Sequence, residues 1–187
     1  MNKIQKVIKS IKALTEKEQV SLIAIDGNGG SGKTTLSRII KKSVPKVNVI
    51  RRDLYPSPYS EDQGFDAKYL RKEILLPLKK GITVSPQIYH WPKKKFVQGG
   101  EIPAKEVIIL EGTLSMHKDL IDLYDYKIWI ECPFETGMQR ALKRDNNAYK
   151  EKWINVWIPR MKEYINTQNP AEKADIVVDY KEIPEVK

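Results

Sequence analysis

Ile23-Ala24-Ile25-Asp26-Gly27-Asn28-Gly29-Gly30-Ser31-Gly32-Lys33-Thr34-Thr35-Leu36 decides how this chain folds. An apolar run enters the stretch, helical sequence leaves it, and the residues between fit G-x-x-x-x-G-K-[ST]. Gly27, Gly29, Gly30 and Gly32 can take positive φ, so successive backbone N–H groups turn inward to make a concave anion site at a helix N-terminus. Lys33 is placed to reach β- and γ-phosphates, and the Thr34 hydroxyl to ligate the Mg²⁺ that accompanies them. The expected triphosphate cradle is thus Gly27, Asn28, Gly29, Gly30, Ser31, Gly32, Lys33, Thr34 and Thr35. A glycine-rich turn that binds nothing is the lesser alternative, because the whole motif lies between strand and helix.

Working outward, Val20–Ile25 reads as the central buried strand and Lys33 to about Ser43 as a covering helix ended by Pro45. Val47–Ile50 is a second strand that delivers Arg51-Arg52-Asp53 to its C-terminal end, the edge where open α/β sheets bind ligands. Upstream, Ile4, Val7, Ile8, Ile11 and Leu14 recur at helical spacing, which predicts an amphipathic helix over residues 3–14 packed on the domain rather than on a membrane surface. Downstream, Pro56–Ser60 has loop chemistry, Asp66 caps a helix running to about Leu76, and residues 82–103 suggest short strands or a hairpin over the site. Val107–Gly112, whose apolar run stops at Glu111, and Tyr126–Glu131 read as further strands near the first. Phe134–Asp145 reads as a helix carrying Arg140 and Arg144 one turn apart. Residues Tyr149–Asn166 suggest a helix that Pro159 should kink or interrupt, and Asp175–Asp179 a last strand. The alternation predicts an α/β fold with a mainly parallel sheet, and without repeats or long linkers residues 1–187 read as a single domain.

The composition agrees with such a domain: 187 residues, 41% hydrophobic and 30% charged. No apolar run approaches the ~20 residues that span a bilayer, and Met1-Asn2-Lys3-Ile4 lacks a secretory signal's apolar core, which predicts no membrane partner and a cytoplasmic protein. One cysteine, Cys132, excludes an internal disulfide and reads as a packing residue, and two histidines give no zinc constellation. Thirty-three Lys and Arg against 24 Asp and Glu give a net charge of +9. Such charge could attract nucleic acid, but no nucleic-acid motif accompanies it, so the phosphate loop makes a polyphosphate the favoured partner. No Asn-Lys-x-Asp segment is present to read guanine.

Phosphoryl transfer needs positioning, neutralised charge and a route for the acceptor's proton. Lys33 with Mg²⁺ addresses the phosphates. Glu111, a carboxylate ending an apolar strand, is the second candidate metal ligand beside Thr34, or an exposed strand end. Asp53 is the candidate base for an acceptor hydroxyl, or a loop aspartate paired with Arg51 or Arg52. Arg140 and Arg144 could close over ATP, or form a solvated helix face. Tyr89 and Trp91 could wall in an acceptor or belong to the core, with His90 a weaker candidate between them. Lys93-Lys94-Lys95 reads as a solvated loop.

With these residues placed, the order of motifs resembles the uridine kinase and phosphoribulokinase family of P-loop kinases over roughly Val20 to Asp179. The resemblance rests on Gly27–Thr34, Arg52-Asp53-Leu54-Tyr55, Phe65-Asp66, Leu76-Pro77-Leu78-Lys79-Lys80-Gly81, Ile109-Leu110-Glu111-Gly112, Arg140-Ala141-Leu142-Lys143-Arg144-Asp145 and Pro170–Val178. It implies a three-layer αβα domain with a five-stranded parallel sheet and a lid, here short, and ATP- and Mg²⁺-dependent phosphorylation of a metabolite hydroxyl. By resemblance Asp53 is the base, Tyr55, Asp66 and Tyr89 belong with the acceptor, and Arg140 and Arg144 are lid arginines. Two departures accompany it. Where uridine kinases have Tyr-Asp followed by a base-reading His and an Arg, this chain has Tyr89-His90, with Lys94 and Phe96 at the other two places, and the region after Asp145 is short. The sequence therefore favours a nucleoside acceptor and keeps open another metabolite, such as a vitamin precursor or sugar derivative. A nucleotide-dependent regulatory or nucleic-acid-binding protein is the alternative from another class, and homo-oligomerisation is left open.

Overall fold

The structure, a computed structural model, describes residues 1–55, 65–147 and 149–184. The expected Pro56–Ser60 loop lies outside the described residues. Five parallel strands form the sheet: β1 (Ser21–Gly27), β2 (Val47–Arg51), β5 (Val107–Glu111), β6 (Tyr126–Glu131) and β7 (Ile176–Asp179), in the order β2-β5-β1-β6-β7. The motif strand β1 is central. It pairs with β5 in the register Ile25↔Glu111 and with β6 in the register Gly27↔Ile130, so the phosphate loop leaves the sheet level with Glu111. Every residue of β1 is buried, as expected for an interior parallel strand.

Alternation along the strands sends residues to two separate cores. Ile23, Ile25, Val107 and Ile109 face α1 (Lys3–Leu14) and α2 (Lys33–Ser43). Leu22, Ala24, Ile108 and Leu110 face the helical stretch made of α3 (Ala67–Tyr69), the π-turns Leu70–Leu75 and α4 (Leu76–Lys79). These are the three layers. Helix α1 begins with a capping box in which Asn2 accepts from the Gln5 N–H, and its Ile4, Val7 and Ile11 enter the first core. The Asp66 side chain caps α3 by accepting from the Tyr69 N–H.

Between the layers' edges, β3 (Gln87–His90) and β4 (Lys95–Gln98) form an antiparallel hairpin joined by a 3₁₀ turn at Trp91–Lys93. Helix α5 (Phe134–Arg144) follows β6. Beyond it α6 (Lys150–Lys152), the π-turn Trp153–Trp157 and α7 (Ile158–Gln168) run on as one helical stretch. The interruption expected at Pro159 takes the form of that π-turn, directly before it. Proline stands at the start of α7, directly after the π-turn, where a shifted hydrogen-bond ladder absorbs the donor it lacks. Among the described residues no helix is long and apolar enough to cross a membrane.

Candidate active site

The phosphate loop is shaped by backbone. Gly27, Gly30 and Gly32 have φ of 150°, 76° and 104°. Gly30 also touches α5 so closely that a Cβ there would stand 2.0 Å from the Gly137 carbonyl oxygen, so neither its torsion nor its surroundings admit a side chain. Lys33 opens α2 and is buried. Its ammonium donates to the carbonyls of Gly27 at 2.9 Å and Asn28 at 2.6 Å. Burial lowers its pKa from the usual 10.5 to about 8, against the opposing pull of Asp26 and Glu111, with Arg52 and Arg144 adding to the depression.

Thr34 donates its hydroxyl to Glu111 Oε1 at 2.9 Å. The strand-end carboxylate is buried, 4% exposed, and burial raises its pKa although Lys33 and Thr34 pull it down. Its register opposite Ile25 makes this contact, because both strands end where the loop begins. Two hard oxygen donors side by side suit Mg²⁺, which takes few protein ligands and completes its shell with phosphate and water. Among the described residues no cluster of three or more His, Cys, Asp or Glu is present that could hold a metal. The Asn28 Oδ1 and Ser31 Oγ atoms in the loop are buried without hydrogen-bond partners among the described residues, further polar groups at the cradle. The residues present therefore fit a magnesium triphosphate.

Asp53 lies in a 3₁₀ turn just past β2, its side chain 42% exposed. Arg51 donates to its Oδ2 at 2.7 Å and lies 4.0 Å from Glu111 Oε1, so the aspartate–arginine pair expected as the alternative to a base is present. The same turn is tied to the hairpin, where Trp91 Nε1 donates to the Asp53 carbonyl at 3.1 Å. Trp91 and Tyr89 meet edge to face at 5.0 Å, Phe96 closes the other side of Tyr89 at 5.2 Å, and Tyr89 is buried. His90 Nδ1 accepts from the Lys93 N–H and so holds the hairpin turn. Tyr55 belongs to the second core, and burial pushes its hydroxyl up to about 12. Of the residues expected around an acceptor, Asp53 and Trp91 are thus brought together, whereas Tyr55 and Tyr89 are packed inside. Asp66 caps its helix and borders a separate cavity of about 680 Å³ with Tyr69, Val84 and Pro86.

The two arginines expected in a lid, Arg140 and Arg144, part company. Arg140 lies over the Tyr180 ring, 5.6 Å from its centroid. Arg144 is gripped by Asp145 through two bonds of 2.7 and 3.0 Å and feels the charges of Asp53 and Glu111. Asp145 in turn accepts from Trp153 Nε1 at 3.1 Å, and the Trp153 ring lies against Gly29 of the phosphate loop.

One residue of the site went unassigned from sequence. Asp26 is fully buried at the end of β1 and accepts from the N–H groups of Gly27, Leu114 and Met116 and from the Tyr164 hydroxyl at 2.7 Å. Burial raises its pKa against these donors and Lys33. It ties together the phosphate loop, the turn after β5 and α7. The signal was available: like Glu111, it is a carboxylate ending an apolar strand.

Residues 58–186 match the phosphoribulokinase/uridine kinase family, a region that starts beyond the phosphate loop and so adds to it independently. The chain belongs to that family. A uridine kinase of Clostridium novyi (strain NT) is 29% identical over 185 aligned positions, covering 84% of this chain and 86% of the relative. Among solved structures, a protein described as a possible uridine kinase from Bacillus stearothermophilus superposes with a TM-score of 0.72 at 19% identity, covering 94% of this chain and 97% of its own. A D-glycerate 3-kinase from Cryptococcus neoformans superposes with a TM-score of 0.57 at 13% identity, covering 100% and 98%. The five-stranded parallel αβα architecture expected from sequence is therefore that of P-loop kinases, and this chain is a phosphotransferase of that type.

Proposed function

We propose that this kinase transfers the γ-phosphoryl group of ATP to a hydroxyl of a nucleoside. The observation that carries the acceptor side is the bond from Trp91 Nε1 to the Asp53 carbonyl, which fastens the candidate base to an aromatic hairpin suited to a planar ring. The curated relatives named as uridine kinases support the same acceptor class.

The chemistry follows from the residues. The acceptor oxygen attacks the γ-phosphorus as the bond from that phosphorus to the β–γ bridging oxygen breaks, the hydroxyl proton passes to the Asp53 carboxylate, and ADP leaves. Lys33 turns from the loop carbonyls to the phosphates, and Arg144, steered by Asp145, adds positive charge beside the transferred group. Thr34 and Glu111 would hold Mg²⁺, whose chemistry when bound is to neutralise phosphate charge.

The replacement of the usual pyrimidine-reading residues by His90, Lys94 and Phe96 favours a second reading, a non-nucleoside hydroxyl acceptor, and the shared fold of a protein named as a D-glycerate 3-kinase shows that architecture does not choose between them. A panel of nucleosides, sugars and vitamin precursors assayed with ATP and Mg²⁺ decides. We expect turnover of uridine or cytidine, and turnover confined to other compounds would replace the nucleoside reading with the second.

A further inference from the structure

Four cations surround the point where the donor and acceptor halves meet, and three are already bonded. Lys33 holds two loop carbonyls, Arg51 holds Asp53, and Arg144 holds Asp145. The fourth, Arg52, is different. Among the described residues its buried Nε has no hydrogen-bond partner and its guanidinium no ion-pair partner, although its charge interacts with those of Asp53, Asp26 and Glu111. Its neighbour on one side is the Phe65 ring, 5.4 Å from the guanidinium carbon, a contact that accommodates the charge but accepts no hydrogen bond in the guanidinium plane.

The site is built to receive this side chain. Gly112, the residue after Glu111, has φ of 147°, and a Cβ there would stand 2.7 Å from Arg52 Cβ and 3.5 Å from its Nε. A glycine at the end of β5 therefore leaves room for Arg52 against the strand end, where its charge interacts with those of Asp53 and Glu111. A buried guanidinium nitrogen without a hydrogen-bond partner among the described residues costs stability, so its retention beside Asp53 and Glu111 calls for an explanation. The fork of Nε–H and Nη–H matches two oxygens of a phosphate.

We infer that Arg52 is an oxyanion-binding residue of the active site, taking two oxygens of a phosphate-type group at the point of transfer. The group is either the γ-phosphate of the donor or an anionic substituent on the acceptor. The inference rests on the donor reading given above.

Calorimetric titration of the full chain, in Mg²⁺ buffer, with ADP, with the non-hydrolysable ATP analogue AMP-PNP, and with inorganic phosphate added to the AMP-PNP-saturated protein, separates the cases. Arg52→Gln removes the charge, and Arg52→Lys keeps charge without the fork. For a γ-phosphate partner, Arg52→Gln weakens AMP-PNP by about tenfold or more, leaves ADP within about twofold, and Arg52→Lys falls between. For an acceptor-borne partner, AMP-PNP and ADP both stay within about twofold, and the wild-type binding of inorganic phosphate is lost in Arg52→Gln. In either case Arg52→Gln melts at or above the wild-type temperature, because it removes a charged group whose buried Nε has no hydrogen-bond partner among the described residues. The inference is overturned if Arg52→Gln changes none of the three titrations, or if it melts lower and loses ADP and AMP-PNP equally, the behaviour of a packing residue. Wild-type protein that binds neither ADP nor AMP-PNP would instead refute the donor reading, and this inference with it.

Discussion

The two halves of the active site are built from different materials. On the donor side the contacts are made by backbone and by residues at the ends of paired strands: positive-φ glycines, a buried lysine, and Thr34 against Glu111. On the acceptor side they are made by side chains on turns, with a half-exposed Asp53 paired to Arg51 and an indole reaching across from a hairpin. Backbone geometry tolerates little variation, because no other residue takes the torsions of Gly30 or Gly32 without strain. Side chains on turns can be exchanged while the fold persists. A site of this kind can keep its donor contacts while its acceptor contacts change.

The hardest test of the donor half is Lys33→Ala. It removes the charge that faces the phosphates, and kcat/KM should fall by about 10³-fold. The acceptor half is tested by Asp53→Asn, which keeps the shape and the bond from Trp91 to the backbone. We expect kcat to fall by about 10²-fold while ADP affinity, measured by calorimetry, is unchanged. Near-normal turnover in this variant would reject Asp53 as the base and leave it the partner of Arg51.

The same contrast governs how much could be read from the sequence. The strands, α1, α2 and the sheet class were legible because apolar runs and helical spacing record burial locally: α2 was expected to begin at Lys33 and end near Ser43, and it does. The phosphate loop was legible because its four glycines and Lys33 fall within seven consecutive residues. What stayed hidden depends on contacts across the chain. Asp26 meets Tyr164 over a separation of 138 residues, and the Gly29 N–H reaches Met161 Sδ over 132. Tyr89 and Tyr55 look like site residues in sequence, yet the hairpin and the second core enclose them. Arg52 was visible only as one of two adjacent arginines, and which of them pairs with Asp53 is decided by the turn after β2.

A smaller effect comes from pH. Lys33 titrates at about 8 in the protein and near 10.5 when exposed. Below about 8 it is charged and ready for phosphate, so ADP affinity should fall as pH rises above that value, by up to about tenfold per unit, and binding at about pH 8.5 should take up protons. The stability of the free protein changes with the opposite sign. Between the two pKa values the unfolded chain holds the extra proton, so raising pH through that window favours folding through this group. Calorimetry in buffers of different ionisation enthalpy reads the proton, and an affinity flat across that window would place Lys33 in an environment more open than the one found.

The smallest expected effect lies where the two halves touch. Trp153 presses its ring on Gly29, on the donor side, while its indole N–H holds the carboxylate that grips Arg144. Trp153→Phe keeps most of the ring and deletes one donor, so the cost is a single hydrogen bond to a charged group, about 1.5 kcal/mol of stability. If the bond also aims Arg144, kcat should fall about threefold with the KM for ATP unchanged, since the interaction it steers is made during transfer rather than in binding. Asp145→Asn supplies the second arm of a double-mutant cycle, and the two effects on kcat should be less than additive because both act through Arg144. Additive effects, or a loss of stability without a change in kcat, would make Trp153 a packing residue of the phosphate loop and leave Arg144 positioned by Asp145 alone.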